Sequence, residues 1–262
     1  MAVLYRVVFV FGIALAVMTA PAYAQGGVGV RITGGYSYIT YSDFNDFVED
    51  FNAQLDGEET LDEMHWVSEF SGEVTFSAFP GFTVGVGAGI VSGKSDWAVA
   101  IGLQQIRQEH KMRAYPFTLT GYFEPPAPFT FAKPLVYAGV GAYRSTITFR
   151  FAASPDIEGS PDFDAELTDW GFGVHGGAGL RFKVAPIIDL DLGIKGRWAT
   201  IKGYEGTATS GNETKDVVLV KYVTDEGFRA YGVQPAEDAD LYEEGKVDLS
   251  GYGFVVSVVI GF

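Results

Sequence analysis

Arg31, Glu69, Glu73, Asp169, His175, Arg181, Asp189, Asp191, Lys195 and Arg197 occupy alternate positions in segments that are otherwise rich in glycine and apolar residues. Side chains of an extended strand alternate between its faces with a period of two. Each of these ionisable groups therefore falls opposite the large apolar residues of its own segment. Both signs of charge are present. Two kinds of chemistry are open to such a set: a cross-strand ionic network that satisfies itself, or a narrow polar path for ions and small solutes. An unpaired ion in a poorly solvated interior is costly, which favours the network. Nucleophilic catalysis would ask for a His within reach of a Ser and oriented by a carboxylate. His175 lies between Val174 and Gly176 with no Ser beside it, and His65 shares a face with Glu69 while Ser68 points to the other. His110 has no evident partner. No triad converges, so no catalytic residue is assigned and a non-enzymatic protein is expected.

The elements that carry these charges are strands. The last twelve residues, 251–262, set the pattern: Tyr252, Phe254, Val256, Val258, Ile260 and Phe262 share one face, and Gly251, Gly253, Val255, Ser257, Val259 and Gly261 share the other. A first strand spans about Val28 to Thr40, with Arg31 opposite Val30 and Ile32. A second runs from Trp66 to Ala78, and a turn at Phe79-Pro80-Gly81 leads to a third beginning at Phe82. Pro presets φ and Gly accepts positive φ, as a tight turn requires. A fourth, near Lys111 to Phe123, contains Pro116, which removes a ladder donor. The fifth, from Pro134 to about Phe149, could present either face outward. Thr168 to Val184 and the segment from Ile188 to Trp198 are the sixth and seventh, and the C-terminal segment is the eighth.

The environment of the apolar face is the central question. The chain is 47% hydrophobic and 15% aromatic, carries a net charge of −15, and contains 34 Gly and no Cys. The missing cysteine removes disulfides, thiolate metal sites and a lipid-modified N-terminal Cys. A soluble β-sandwich would bury the apolar faces, but it would have two sheet edges to blunt and no use for aromatics at both strand ends. Here Tyr36, Tyr38, Trp66, Trp170, Trp198 and Tyr252 recur at one end, and Phe76, Phe82, Phe123, Phe182 and Phe262 at the other. Two such belts are the interfacial girdles of a membrane barrel. Connections alternate short and long, with roughly 25, 20, 18 and 45 residues after the first, third, fifth and seventh strands, beyond ordinary hairpin loops. The fold class expected is all-β: an eight-stranded antiparallel up-and-down transmembrane barrel with short periplasmic turns, long extracellular loops and both mature termini in the periplasm. Residues 1–24 read as a cleaved signal peptide, with Arg6 before the apolar run from Val7 to Met18 and Ala22-Tyr23-Ala24 as the cleavage site. The barrel domain would then be residues 25–262.

The C-terminal alternation ending on Phe262, with Tyr252, Phe254 and Ile260 before it, resembles the assembly signal of bacterial outer-membrane proteins. The segments 170–182 and 136–143 are similar to the glycine-rich strands of small OmpA/OmpW-like, eight-stranded outer-membrane barrels. The resemblance covers nearly the whole mature chain and implies the outer membrane of a Gram-negative cell envelope. It also implies insertion by the barrel-assembly machinery and contact with outer-membrane lipid and lipopolysaccharide; the peptidoglycan-binding domain present in some relatives is expected to be absent, since Phe262 ends the barrel. Its members include adhesins, porin-like conduits, tethers and a few lipid-modifying enzymes.

An eight-stranded barrel leaves an interior that side chains can fill, so the ionic set is expected to plug the lumen. A structural, surface-interaction or adhesive role follows. The second reading concerns the first loop, where Phe44, Phe47, Val48, Phe51 and Leu55 lie at helical spacing behind Ser42 or Asp43 as helix cap. These residues would make a short amphipathic helix over the mouth, or a hydrophobic way in for a small greasy solute. Val217 to Val223 and Phe228 to Val233 could pair above the membrane, and at about seven residues the first falls short of the roughly 9 a spanning strand needs. Eight strands are therefore preferred to ten. Acidic runs at Glu237, Asp238, Asp240, Glu243 and Glu244, and at Asp156, Glu158, Asp162, Asp164 and Glu166, read as solvated surface. They could alternatively hold divalent cations through oxygen ligands. No cofactor, dedicated metal site or nucleic-acid partner is expected, and the protein is expected to be a monomer.

Overall fold

A computed structural model describes residues 27–53, 61–101, 104–126, 131–153, 163–224 and 229–261. Its strands are β1 (Val28–Ile39), β2 (Trp66–Phe79), β3 (Phe82–Ile101), β4 (Gln104–Phe123), β5 (Ala132–Ala153), β6 (Phe163–Ala185), β7 (Ile188–Lys202), β8 (Glu205–Ser210), β9 (Glu213–Val223), β10 (Arg229–Pro235), β11 (Glu243–Glu244), β12 (Lys246–Asp248) and β13 (Gly251–Gly261). One helix, α1 (Ser42–Asn52), follows β1. Antiparallel pairing of β1 through β7 in sequence, then β7 with β13 and β13 with β1, closes an eight-stranded ring. Closure removes the sheet edges that an open sheet would expose. Residues 1–24, expected to be a signal peptide, together with Leu55, Phe262 and the acidic residues Asp156, Glu158 and Asp162, lie outside the described residues.

The outer face of the ring is apolar. Phe254 is 69% exposed, Phe70 60% and Trp198 63%, and Val74, Val140, Phe172, Leu192 and Ile194 are exposed with them. On β7 the outward residues run from Ile188 to Trp198, ten steps or about 34 Å along the strand at ~3.4 Å per residue. A tilt of about 40° reduces that to a band of about 25 Å, the height of an outer-membrane barrel's lipid-facing surface. Val136 and Val140 settle the open orientation of β5, since both face outward while Tyr143 points in and is buried.

Above this band the polarity of the strands reverses. Outward residues of β4 read Phe123, Leu119, Phe117 and Tyr115, then Lys111 and Arg113 with Glu109 beyond them; inward ones read Tyr122, Thr120 and Thr118, then Ala114, Met112 and His110. On β5 the outward set changes from Val136 and Val140 to Arg144, Thr146 and Arg150, while Ile147 and Phe149 turn inward. Lipid surrounds the lower stretch and water the upper one, so one strand crosses both solvents with opposite patterns. Tyr115, Trp170 and Trp198 mark the line of reversal, and Tyr36 stacks on Trp66 at 5.1 Å in the same belt.

Several expectations about the connections need correction. The long links after the third and fifth strands are largely strand: β3 and β4 have 20 residues each, β5 has 22 and β6 has 23. Their apolar inward faces above the belt pack together, which holds the ladders straight past the membrane. The last long loop is mostly sheet as well. At Gly203, φ 77°, the ladder is interrupted by an irregularity; the chain then continues in the direction of β7 as β8, which pairs with the upper part of β6, and β9 and β10 add to it in order. The β9–β10 hairpin thus stands outside the eight-stranded ring. Helix α1 is capped neither by Ser42 nor by Asp43. Tyr41 occupies the cap position in a left-handed conformation with no side-chain cap, because its backbone N–H and hydroxyl are engaged elsewhere, with Asp248 O and His110. Pro116 keeps its place in β4 opposite Tyr143, and the ladder to β3 skips Gly89 and Ile90, where the missing N–H would have donated.

Candidate functional site

The interior of the ring is built from alternate residues of the spanning strands, and most of the ionisable set meets there. Arg31 on β1 lies 2.6 Å from Asp191 on β7 and 3.9 Å from Glu73 on β2. Its guanidinium also rests over the Tyr122 ring, 4.1 Å from the centroid. Asp191 accepts two further hydrogen bonds from Arg181, at 2.8 and 2.9 Å, and Arg181 reaches Glu124 as well. Nearer the loop end, Glu69 accepts from Lys195 and Arg197, each at 2.8 Å, and Arg197 also donates to Leu249 O. His175 is hydrogen-bonded to the Thr120 hydroxyl at 3.0 Å, and that hydroxyl lies 3.2 Å from Glu73. About 60 Å³ stays open among Arg31, Glu69, Glu73, His175, Asp191 and Lys195, room for a few water molecules.

Two predicted members lie apart from this cluster. Asp189 is near the turn end by Arg181 and closes no ion pair among the described residues. Asp169 sits at the upper rim beside Gly203. Sequence reasoning missed Glu124, just past the end of β4, and it missed the hydroxyl donors Tyr122, Thr118 and Thr120, which approach Glu73. Tyr122 was legible by period, being on the same face of β4 as Thr118 and Thr120. The assignment of Glu124 depended on knowing where β4 ends.

Over the ionic layer sits an apolar one, of which the sequence reading anticipated only the helix. Tyr41, Phe44, Val48, Met64, Met112, Ile147, Phe149, Leu167, Leu219 and Tyr231 are buried together. Phe44 stacks on His110 at 4.3 Å, and the Tyr41 hydroxyl meets His110 Nε2 at 2.7 Å. His110 lies five residues above Tyr115, outside the membrane band, and burial pulls its pKa down to about 3. Phe44 and Val48 point into this core, and Phe47 and Phe51 pack against its edge. Two asparagines tie α1 to the chain beyond it. Asn45 accepts from Met64 N–H at 2.8 Å, and Asn52 accepts from Leu61 N–H at 2.7 Å. On the far side, Arg229 of β10 forks onto Asp50 at 2.7 and 2.8 Å and approaches Asp46 at 3.1 Å.

The acidic residues 237–244 lie on a 3-10 turn (Ala236–Leu241) and β11, with Glu243 3.3 Å from Lys221. Asp164 pairs with Arg150 at 3.1 Å. Among the described residues no three His, Asp or Glu side chains gather as ligands for a metal ion.

A closed antiparallel ring with an apolar exterior, aromatic belts and an ionised interior defines an outer-membrane barrel. Residues 10–219 match the outer membrane protein beta-barrel domain family, and the chain belongs to it. No curated protein matches it in sequence. In structure it is similar to a major outer membrane protein from Thermus thermophilus, with a TM-score of 0.50 and 10% identity over 91% of this chain and 100% of that one. The outer membrane protease OmpT from Escherichia coli gives a TM-score of 0.41 and 8% identity, over 90% of this chain and 96% of its own. The NanC porin gives 0.25 and 8%, over 88% and 98%. At 10% identity the likeness to the Thermus protein extends to the fold alone.

Proposed function

We propose that this outer-membrane barrel is a closed platform, holding its loop-end sheet and helix at the cell surface for structural or adhesive contact. The observation that carries this reading is the double seal of the interior. Paired ions fill the membrane-level lumen, and a buried aromatic and aliphatic core lies above them under α1. The same placement of Phe44 and Val48 weighs against a hydrophobic solute route, because the side chains that would line it are occupied in packing. A non-enzymatic role fits the histidines. His175 is held by a threonine, His110 is enclosed by aromatic rings, and His65 pairs with Glu63 at the surface. The loop end faces outward in this reading, and the turns and both termini face the periplasm.

Planar-bilayer recording of the refolded protein tests the seal, with an expected outcome of little or no steady conductance. Large, stable channels would overturn the reading. The orientation has its own test. A protease site placed at the Gly211–Asn212 turn between β8 and β9 is expected to be cut in intact cells, and protection there would reverse the topology.

A further inference from the structure

Just above the line where strand polarity reverses, one sector of the outer wall carries a concentration of cations. Lys94 of β3 stands directly opposite Lys111 of β4 in the ladder. Arg113 follows on the same face of β4, and Arg144 of β5 lies diagonally beside it, flanked in register by Tyr115 and Trp170. Arg113 and Arg144 are exposed. Like charges directly across a ladder are destabilising, and here they persist in a chain with only 18 Lys and Arg against 33 Asp and Glu. Lys94 is partly neutralised by Asp96 at 2.7 Å and Glu109 at 3.2 Å. Among the described residues, Lys111, Arg113 and Arg144 form no ion pair within the protein. Corresponding outward positions on β6 and β7 hold Thr168, Glu166 and Thr200, so the patch belongs to one side of the barrel.

The height of this patch is what gives it meaning. It sits at the edge of the apolar band, where lipid headgroups meet the protein, and two girdle aromatics flank its lowest member, Arg144. Arg binds phosphate through a planar fork and Lys as a point charge, and cations near a bilayer surface draw anionic headgroups. We infer that Lys111, Arg113 and Arg144, with Lys94 at the edge, form a binding site for the phosphate groups of a phosphorylated glycolipid in the loop-side leaflet. The acyl chains of that lipid would lie along Phe117, Leu119 and Val140. Assignment of the leaflet as the outer one rests on the loop-out orientation, which the protease-site experiment tests separately.

The test uses the full mature barrel refolded in zwitterionic detergent and titrated with phosphorylated lipid A, the same lipid A after phosphate removal, and inorganic pyrophosphate. Retained lipid is counted by native mass spectrometry. Phosphorylated lipid A is expected to bind about tenfold tighter than the dephosphorylated form. Arg113→Gln with Arg144→Gln should lose that margin, and Arg113→Lys with Arg144→Lys should keep most of it. Arg150→Gln, higher on β5 and paired with Asp164, should behave as wild type. Gel shift on heating confirms that each variant is folded, and if the glutamine pair fails to fold, Lys111→Gln alone is read against wild type. Equal binding of both lipids overturns the inference, and so does a folded neutralised variant that binds as wild type does. Pyrophosphate binding as tightly as the lipid would show a soluble-anion site and overturn it too.

Discussion

Arg31 on β1 reaches across β13 to Asp191 on β7, with 2.6 Å between its Nη2 and the carboxylate, while Arg181 on β6 holds that carboxylate from the other side. One acid therefore ties three strands through two guanidiniums, across the seam where the last strand closes the ring. Removing a single partner from a buried ionic group leaves uncompensated charge, which costs about 3–5 kcal/mol.

Asp191→Leu is accordingly expected to destabilise the barrel by about 3 kcal/mol, because it removes the acid that both arginines share and leaves Arg31 with only Glu73 at 3.9 Å and Arg181 with Glu124. Arg31→Met should cost less, since Asp191 keeps Arg181. Urea titration of the gel-shifted, folded form in micelles measures both. A smaller loss for Asp191→Leu than for Arg31→Met would show that the seam does not depend on this acid.

His110 gives the cap a pH dependence whose sign is fixed by its environment. Its folded pKa, about 3, is below the unfolded value near 6.5. The neutral imidazole is what the fold accommodates, so its contribution is whole above about pH 6.5. It is lost progressively as pH falls towards 3. The groups packed against it are Tyr41, Phe44, Phe149 and Tyr231, with Asp43 the charge near Tyr41. Hydrogen exchange of the α1 amides should rise through that window in the wild type. His110→Gln should flatten the profile, and an unchanged slope in that variant would place the titration elsewhere.

The Asp50–Arg229 fork latches α1 to β10 at the surface. Hydrogen bonds from Arg229 pull the Asp50 pKa from 3.8 to about 2. A carboxylate lowered in this way favours the latched state above about pH 4 and loses that influence as pH falls through 2. Both groups are exposed, so salt should weaken the latch as well. Asp50→Asn is expected to loosen the helix end near residue 50 at neutral pH without altering the heat-induced gel shift. Amide exchange read residue by residue checks this, and uniform loosening of the whole barrel would contradict it.

Gly177 sits where the Tyr137 side chain crosses the lumen. A Cβ built there would lie 2.5 Å from the Tyr137 ring and 2.1 Å from the Ile194 carbonyl oxygen, closer than packed atoms approach. Gly177→Val should therefore destabilise by more than the roughly 1–3 kcal/mol typical of overpacking, since a backbone oxygen cannot swing aside. Gly34→Val meets no atom within 4 Å and serves as the contrast, with refolding yield as the readout.

The ring and its inside-out character were legible because period two is a local property. Trp170, Phe172 and Val174 against Asp169, Gly171 and Gly173 declare two faces without reference to any other strand. The inward ionisable residues of β6 and β7 were assigned in the same way. Legibility failed where one strand changes solvent partway along. In β5 the odd positions are glycine and tyrosine at 137–143 but isoleucine and phenylalanine at 147 and 149. Read as one membrane strand, that crossover looks like the end of the strand and the start of a loop.

Which charges meet is another matter, because partners such as Glu69 and Arg197 are 128 residues apart and on strands that do not pair. Sequence by itself determined that the chain makes a closed, lipid-facing β-barrel with its ions turned inward, since alternation alone sorts every side chain to one face or the other. Only the tertiary structure decided which ions pair, how far the strands rise past the membrane, and that an aromatic core seals the mouth. Those outcomes depend on shear, curvature and distance across the lumen, quantities that exist only once the ring has closed.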